Sequence, residues 1–152
     1  MRSNLLPFWK SMLEDPRRVG SIVPSGRLLG LALARETVAQ APGHVYEIGA
    51  GTGSITQALF DLRRHFDSFH VIEQSPRLAE CLRRRFPGVN VHRACASRLD
   101  EIQAGPLERL TVVSSIPFRS LQPADRIRIV SALWRQQARC GSFRFIQYSY
   151  GA

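Results

Sequence analysis

Val45-Tyr46-Glu47-Ile48-Gly49-Ala50-Gly51-Thr52-Gly53 decides how this chain folds. Four residues of buried-strand type run into three glycines at alternate positions. The stretch 54–65 then carries Ile55, Ala58, Leu59 and Leu62 at helical spacing. Gly49 and Gly51 allow a tight turn and a close approach of backbone to a ligand, and Gly53 lets a helix start beside the strand. A strand, a glycine turn and a helix in that order make a nucleotide-binding unit.

Outward from this unit, strand and helix signals alternate. Phe69-His70-Val71-Ile72 is a second strand that ends at Glu73. Ser75-Pro76 is a helix start, a capping hydroxyl followed by proline at the first helical position. Leu78, Cys81, Leu82 and Phe86 form that helix's inward face, with Cys81 as a buried reduced thiol, and Pro87-Gly88 stops it. Strands follow at 89–92, 110–113 and 143–148, with a short helix around Leu99 and Ile102. A longer helix over 124–138 has Ile127, Val130, Leu133 and Trp134 inward. Five strands separated by helices predict an α/β, Rossmann-like, doubly wound parallel sheet.

Before the core, a helix over 26–40 is capped by Ser25 and faces inward with Leu28, Leu31, Ala32, Arg35 and Val38. Gly20-Ser21-Ile22-Val23-Pro24-Ser25 reads as a loop. Leu5, Phe8, Trp9, Met12 and Leu13 recur at helical spacing with Lys10, Arg17 and Arg18 close by, an amphipathic helix that packs on the domain or lies on a membrane. The organisation is thus an N-terminal helical segment, 1–43, and a core, 44–152.

The net charge is +9, spread as +3 over each of the segments 1–43, 44–99 and 100–152. Lys10 is the only lysine, so arginine carries the positive charge. Such a surface attracts polyanions, either nucleic acid or an anionic membrane face. No run of about 18 apolar residues is present, so no membrane span is predicted, and the N-terminus lacks a signal-peptide core. Cytoplasmic residence is expected. Cys81, Cys95 and Cys140 are far apart and lie near no metal-ligand spacing, so neither a disulfide nor a metal is expected.

The chemistry turns on two acids. Glu73 stands at the tip of the second strand, where a carboxylate accepts ribose hydroxyls. A dinucleotide fingerprint needs glycine at 54, which is serine. The pattern is instead acid-x-G-x-G-x-G headed by Glu47, an acid awkward beside a pyrophosphate and natural beside the sulfonium and ammonium of S-adenosylmethionine (SAM).

These residues resemble the class I SAM-dependent methyltransferases over about residues 16 to 150. Within them the chain is most similar to bacterial phospholipid N-methyltransferases, relatives of the ribosomal RNA adenine dimethylases. The likeness rests on Gly20 to Ser25, Glu47 to Gly53, Val71-Ile72-Glu73 and Val113-Ser114-Ser115-Ile116-Pro117-Phe118. It implies that Ser21 and Ile22 close over the methionine part of SAM. Glu47, Gly49, Ala50, Gly51 and Gly53 would hold the amino-acid end. Glu73 and Gln74 would take the ribose side, with Ala96, Ser97 and Ser114 completing the cofactor site. Ser114 and Ser115, with Tyr148, are the catalytic candidates.

The resemblance implies methylation of phosphatidylethanolamine-type headgroups by a protein lying peripherally on the inner face of the membrane. Ser115, where adenine methyltransferases carry Asn or Asp, favours that lipid amine. The alternatives are a ribosomal RNA adenine N6-methyltransferase and a SAM-binding or membrane-binding module without catalysis. Two departures stand out. Ala94-Cys95-Ala96-Ser97 replaces the family's Gly-Asp-Ala, removing an acceptor for the adenine amine unless Ser97 supplies one. The sequence to Ala152 also carries no signal for the last two strands of the fold, which are expected to be lacking. Strand five, with Phe143, Phe145, Ile146, Tyr148 and Tyr150, is then an open edge suited to homodimer formation, and only Arg144 discourages pairing.

Overall fold

The computed structural model describes residues 23–40, 43–102 and 106–148. The amphipathic segment 3–18, Ser21, Ile22 and Tyr150 lie outside the described residues.

Five parallel strands form one sheet in the order β3-β2-β1-β4-β5. They are β1 (His44–Ile48), β2 (Ser68–Glu73), β3 (Asn90–Arg93), β4 (Leu107–Ser114) and β5 (Cys140–Gln147). Helix α1 (Val23–Ala39) precedes β1, and α2 (Ser54–Asp61), α3 (Pro76–Arg85) and α4 (Pro123–Gln137) lie between strands. A 3-10 segment, Ala96–Glu101, follows β3. Val45, Tyr46, Glu47 and Ile48 are all buried, as a central strand covered on both faces requires. The register pairs Glu47 with Val71 on one side and with Val113 on the other.

The core lies in two layers. On one face Tyr46, Ile48, Ile72 and Val112 pack against Leu99 and against Ile129, Ala132 and Leu133 of α4. On the other, Val45, Val71 and Val113 meet Ala34, Ile55, Leu59, Leu82 and Phe86. The elements fall where the apolar periodicity placed them, and Ser75 caps α3 through a hydrogen bond from Leu78 N at 3.4 Å.

Three inward faces differ from the periodic reading. In α1 Ala34 and Thr37 are buried while Leu28 is 70% exposed. A Cβ on Gly30 would lie 3.2 Å from Ser54 O and 3.4 Å from Ala58 Cβ. The two helices approach through small residues, and leucines do not fit there. Ser25, expected as the cap, falls inside this helix, which begins at Val23. In α4 Ile129, Ala132, Leu133 and Gln136 are buried, and Ile127, Val130 and Trp134 are exposed. Arg135 donates to Asp100 at 2.7 and 3.2 Å, and Arg139 donates to Asp100 O at 2.7 Å. These bonds fix the rotation of α4 against the 3-10 segment. Cys81 is exposed, because the inward row of α3 is Leu78, Leu82 and Phe86 at four-residue steps and Cys81 stands beside it.

Candidate functional site

The site forms at the C-terminal ends of β1, β2 and β4, where a parallel sheet of this order reverses direction. Gly49 leaves β1 at φ +75°, and its amide donates to Ile72 O at 3.0 Å. A Cβ at Gly49 would lie 2.6 Å from Ile116 Cγ1, so only glycine fits between the turn and the segment after β4. Gly53, at φ +87°, begins α2, and a Cβ there would meet Leu82 Cδ2 at 2.9 Å.

Glu73 is 3% exposed and accepts from Gly51 N at 2.9 Å and from Ser75 N at 2.8 Å. Burial pushes its carboxyl pKa up, and the amides of Ser75, Gly51 and Gln74 oppose the shift. Each oxygen of an ionised carboxylate keeps further lone-pair capacity after accepting one N–H. Glu73 is therefore both the tie that shapes the turn and an acceptor at the rim.

Glu47 differs. It is fully buried behind the turn, and neither carboxylate oxygen meets hydrogen-bonding geometry with a donor among the described residues, although the amide and hydroxyl of Thr56 lie close enough to favour its ionised form. Its pKa is pushed up to about 8, chiefly by burial, with Thr56 lowering it and Glu73 raising it further. A buried acceptor without a donor costs stability unless a ligand or water completes it.

After β4, Ser114 is buried, and its hydroxyl accepts from Ile116 N at 3.2 Å, which shapes the turn. Ser115 Oγ donates to Gly49 O at 2.6 Å and stitches this segment to the glycine turn. Gln147, which the sequence reading passed over, donates from Nε2 to Ile116 O at 3.0 Å. Its signal was a polar amide ending an apolar strand. Tyr148 donates its backbone amide to Ser114 O at 2.7 Å, while its side chain packs with the layer on the α1 and α2 face.

Between these segments lies a cleft of about 310 Å³. Gly49, Glu73, Gln74, Ala96 and Ser97, all read from the sequence as cofactor contacts, line it together. Ile72, Ile116, Pro117, Leu121 and Ile129 make the apolar walls, and Asp125 and Arg128 of α4 complete the lining. Glu47, Ala50, Gly51, Gly53, Ser114, Ser115 and Tyr148 do not line the cleft. Among the described residues no cluster of His, Cys, Asp or Glu could hold a metal, and no helix is long and apolar enough to cross a membrane.

No protein-family model matches the chain. Two curated relatives bear the name ribosomal RNA small subunit methyltransferase A. The one from Prosthecochloris aestuarii is 30% identical over 114 residues, covering 75% of this chain and 38% of the relative. The one from Chlorobium limicola is 25% identical over 107 residues, covering 70% of this chain and 40% of the relative. The chain thus spans about two fifths of their length. Among solved structures, the plantazolicin methyltransferase BamL in complex with S-adenosylhomocysteine (SAH) aligns at TM-score 0.60 and 17% identity, over 83% of this chain and 46% of that one. The 23S rRNA methyltransferase ErmE aligns at 0.55 and 23%, over 81% and 46%. A SAM-bound amino pentose methyltransferase from Micromonospora echinaspora aligns at 0.52 and 16%, over 78% and 46%. The chain has the Rossmann-like fold of the class I SAM-dependent methyltransferases.

Proposed function

We propose that the chain binds SAM in this cleft and belongs to an N-methyltransferase acting on an adenine of ribosomal RNA. Glu47 carries the cofactor reading. A fully buried carboxyl near Thr56, behind a turn of positive-φ glycines and held largely protonated at neutral pH, would ionise toward a cationic ligand end and gain nothing from a pyrophosphate. Glu73 suits ribose hydroxyls, and the apolar walls at Ile72, Ile116 and Leu121 suit a purine ring.

When bound, SAM supplies a methyl group on a sulfonium, open to direct attack by a nitrogen lone pair. The residues of this chain orient and desolvate. Ser115 and Gly49, joined at 2.6 Å, hold the segment after β4 against the cofactor end of the site. Gln147 fixes the same segment from β5. Ser114 spends its hydroxyl on the turn, so placement rather than a general base from this residue carries the chemistry.

The names of the two curated relatives favour RNA as acceptor. Arg83, Arg84 and Arg85 in the last turn of α3, with Arg63 and Arg64 after α2, present exposed positive charge suited to phosphates. A lipid amine is the second reading. Ser115 commits its hydroxyl proton to Gly49 O and offers no side-chain carbonyl to a planar base amine. On that reading the basic surface and the segment 3–18 face an anionic membrane. The test is transfer of a labelled methyl group from SAM, with deproteinised small-subunit rRNA or phosphatidylethanolamine vesicles as acceptor. Label in RNA as N6-methyladenine is expected. Label in lipid alone would reverse the order of the two readings, and label in neither would remove the enzymatic one.

A further inference from the structure

The cleft also takes polar groups from α4 that the cofactor reading leaves without a task. Ala94, Cys95, Ala96 and Ser97 line it after β3, where Ala94 N donates to Glu73 O at 3.2 Å, and Asp125 and Arg128 of α4 line it as well. Ser97 Oγ donates to Cys95 Sγ at 3.1 Å, so its proton is used within its own wall. Arg128 is 70% exposed and reaches only Oδ1 of Asp125, at 3.3 Å. The Asp125 side chain is 20% exposed, and no hydrogen bond reaches its Oδ2 among the described residues. An ionised carboxylate accepts and cannot donate. A carboxylate with a spare oxygen at the end of an apolar slot therefore selects a ligand that brings an N–H to that place.

We infer that Asp125 accepts a hydrogen bond from the exocyclic amine of an adenine whose ribose lies at Glu73, so that α4, and not the wall after β3, tells a 6-aminopurine from a 6-oxopurine. The inference rests on the SAM reading above. The wall after β3 offers no carboxylate at any of its four positions, Ala94 to Ser97, and Glu73 already holds two backbone amides. Among the described residues Asp125 is the one other acidic side chain that lines the cleft. A 6-oxo group in the same place would set an oxygen against the carboxylate, and the polar groups of both would go unpaired.

Calorimetric titration of the full chain with SAH and with its 6-oxo counterpart, S-inosylhomocysteine, tests this. The wild type should bind SAH at least about tenfold tighter than the inosyl compound, the size expected of a charge-assisted hydrogen bond. Asp125→Ala should lose that preference, with most of the loss in SAH affinity. Asp125→Asn, whose amide both accepts and donates, should recover part of the SAH affinity while holding the inosyl compound better than the wild type does. Ile127→Ala, at an exposed position of α4 outside the cleft, should keep the preference, which separates recognition from a general disturbance of the helix. Asp125→Ala with both SAH affinity and preference intact would overturn the assignment. A wild type that binds SAH without discriminating between the two would overturn it as well. A wild type that binds neither compound would bring down the SAM reading, and this assignment with it.

Discussion

Glu73 Oε2 accepts the amide of Gly51 at 2.9 Å, across 22 residues of sequence. The bond joins the end of β2 to the turn after β1, so Glu73 and the glycine turn form one unit. Glu73→Ala should therefore do two things at once. It should weaken SAH binding by at least about tenfold through lost charge-assisted bonds. It should also lower the melting temperature, because Gly51 N and Ser75 N lose their acceptor. An unchanged affinity by calorimetry would take Glu73 out of the site.

Stability should fall with rising pH above neutrality, and Glu47 is the cause. Its carboxyl is held at about 8 in the fold against an ordinary value of 4.5, so folding takes up a proton between those values. Stability is therefore lost as pH rises through that window, by up to about 1.4 kcal/mol per unit. His70, stacked on His92 with ring centroids 5.2 Å apart, is pushed down to about 4 by burial and by its histidine neighbours. It acts in the opposite sense between about 4 and 6.5, where stability rises with pH. Above 6.5 the fall due to Glu47 is unopposed by His70. Thermal melts from pH 6.5 to 8 should decline for the wild type and stay nearly flat for Glu47→Gln. Parallel profiles would show that Glu47 is ionised in the fold.

Gly49→Ala should be severe. The new Cβ would stand 2.6 Å from Ile116 Cγ1, on a backbone at φ +75°. Overpacking and left-handed strain each cost about 1–3 kcal/mol. Adding Ile116→Ala should relieve the clash and leave the strain, recovering part of the melting temperature. A single variant as stable as the wild type would mean the turn is looser than described.

β5 forms one edge of the sheet, and α4 exposes Ile127, Val130 and Trp134. Arg144, expected to guard that edge, instead donates Nη2 to Thr37 O at 2.7 Å. Unpaired edges invite strand addition. Sedimentation should detect a monomer–dimer equilibrium, and Phe145→Lys should shift it to monomer. A monomer at every concentration tested would count against pairing through β5.

The fold was legible because β1 and the glycine turn leave little freedom, and the five strands follow from apolar runs between breakers. Helix faces were less so. Ile127, Val130 and Trp134 have the right spacing for a buried stripe, yet Arg135 and Arg139 bind Asp100 and turn α4 toward Ile129 and Gln136. Periodicity alone cannot choose between two overlapping stripes. The near half of the cleft, Gly49, Glu73 and Gln74, was readable because its residues follow the strand ends directly. Ala96 and Ser97 after β3 were readable too, but the contribution of α4 was not. Asp125 and Arg128 reach the cleft from α4, and only the packing of that helix brings them opposite Ala96 and Ser97.

Binding of SAH to the wild-type chain, followed by isothermal titration calorimetry at pH 7, tests the central claim most directly. Saturable one-to-one binding is expected, weakening at least about tenfold in Glu73→Ala. Net proton release should accompany it, seen as a binding heat that varies with the buffer's ionisation enthalpy, because a cationic ligand end would ionise Glu47. No binding heat, with no shift in melting temperature at millimolar SAH, would contradict it.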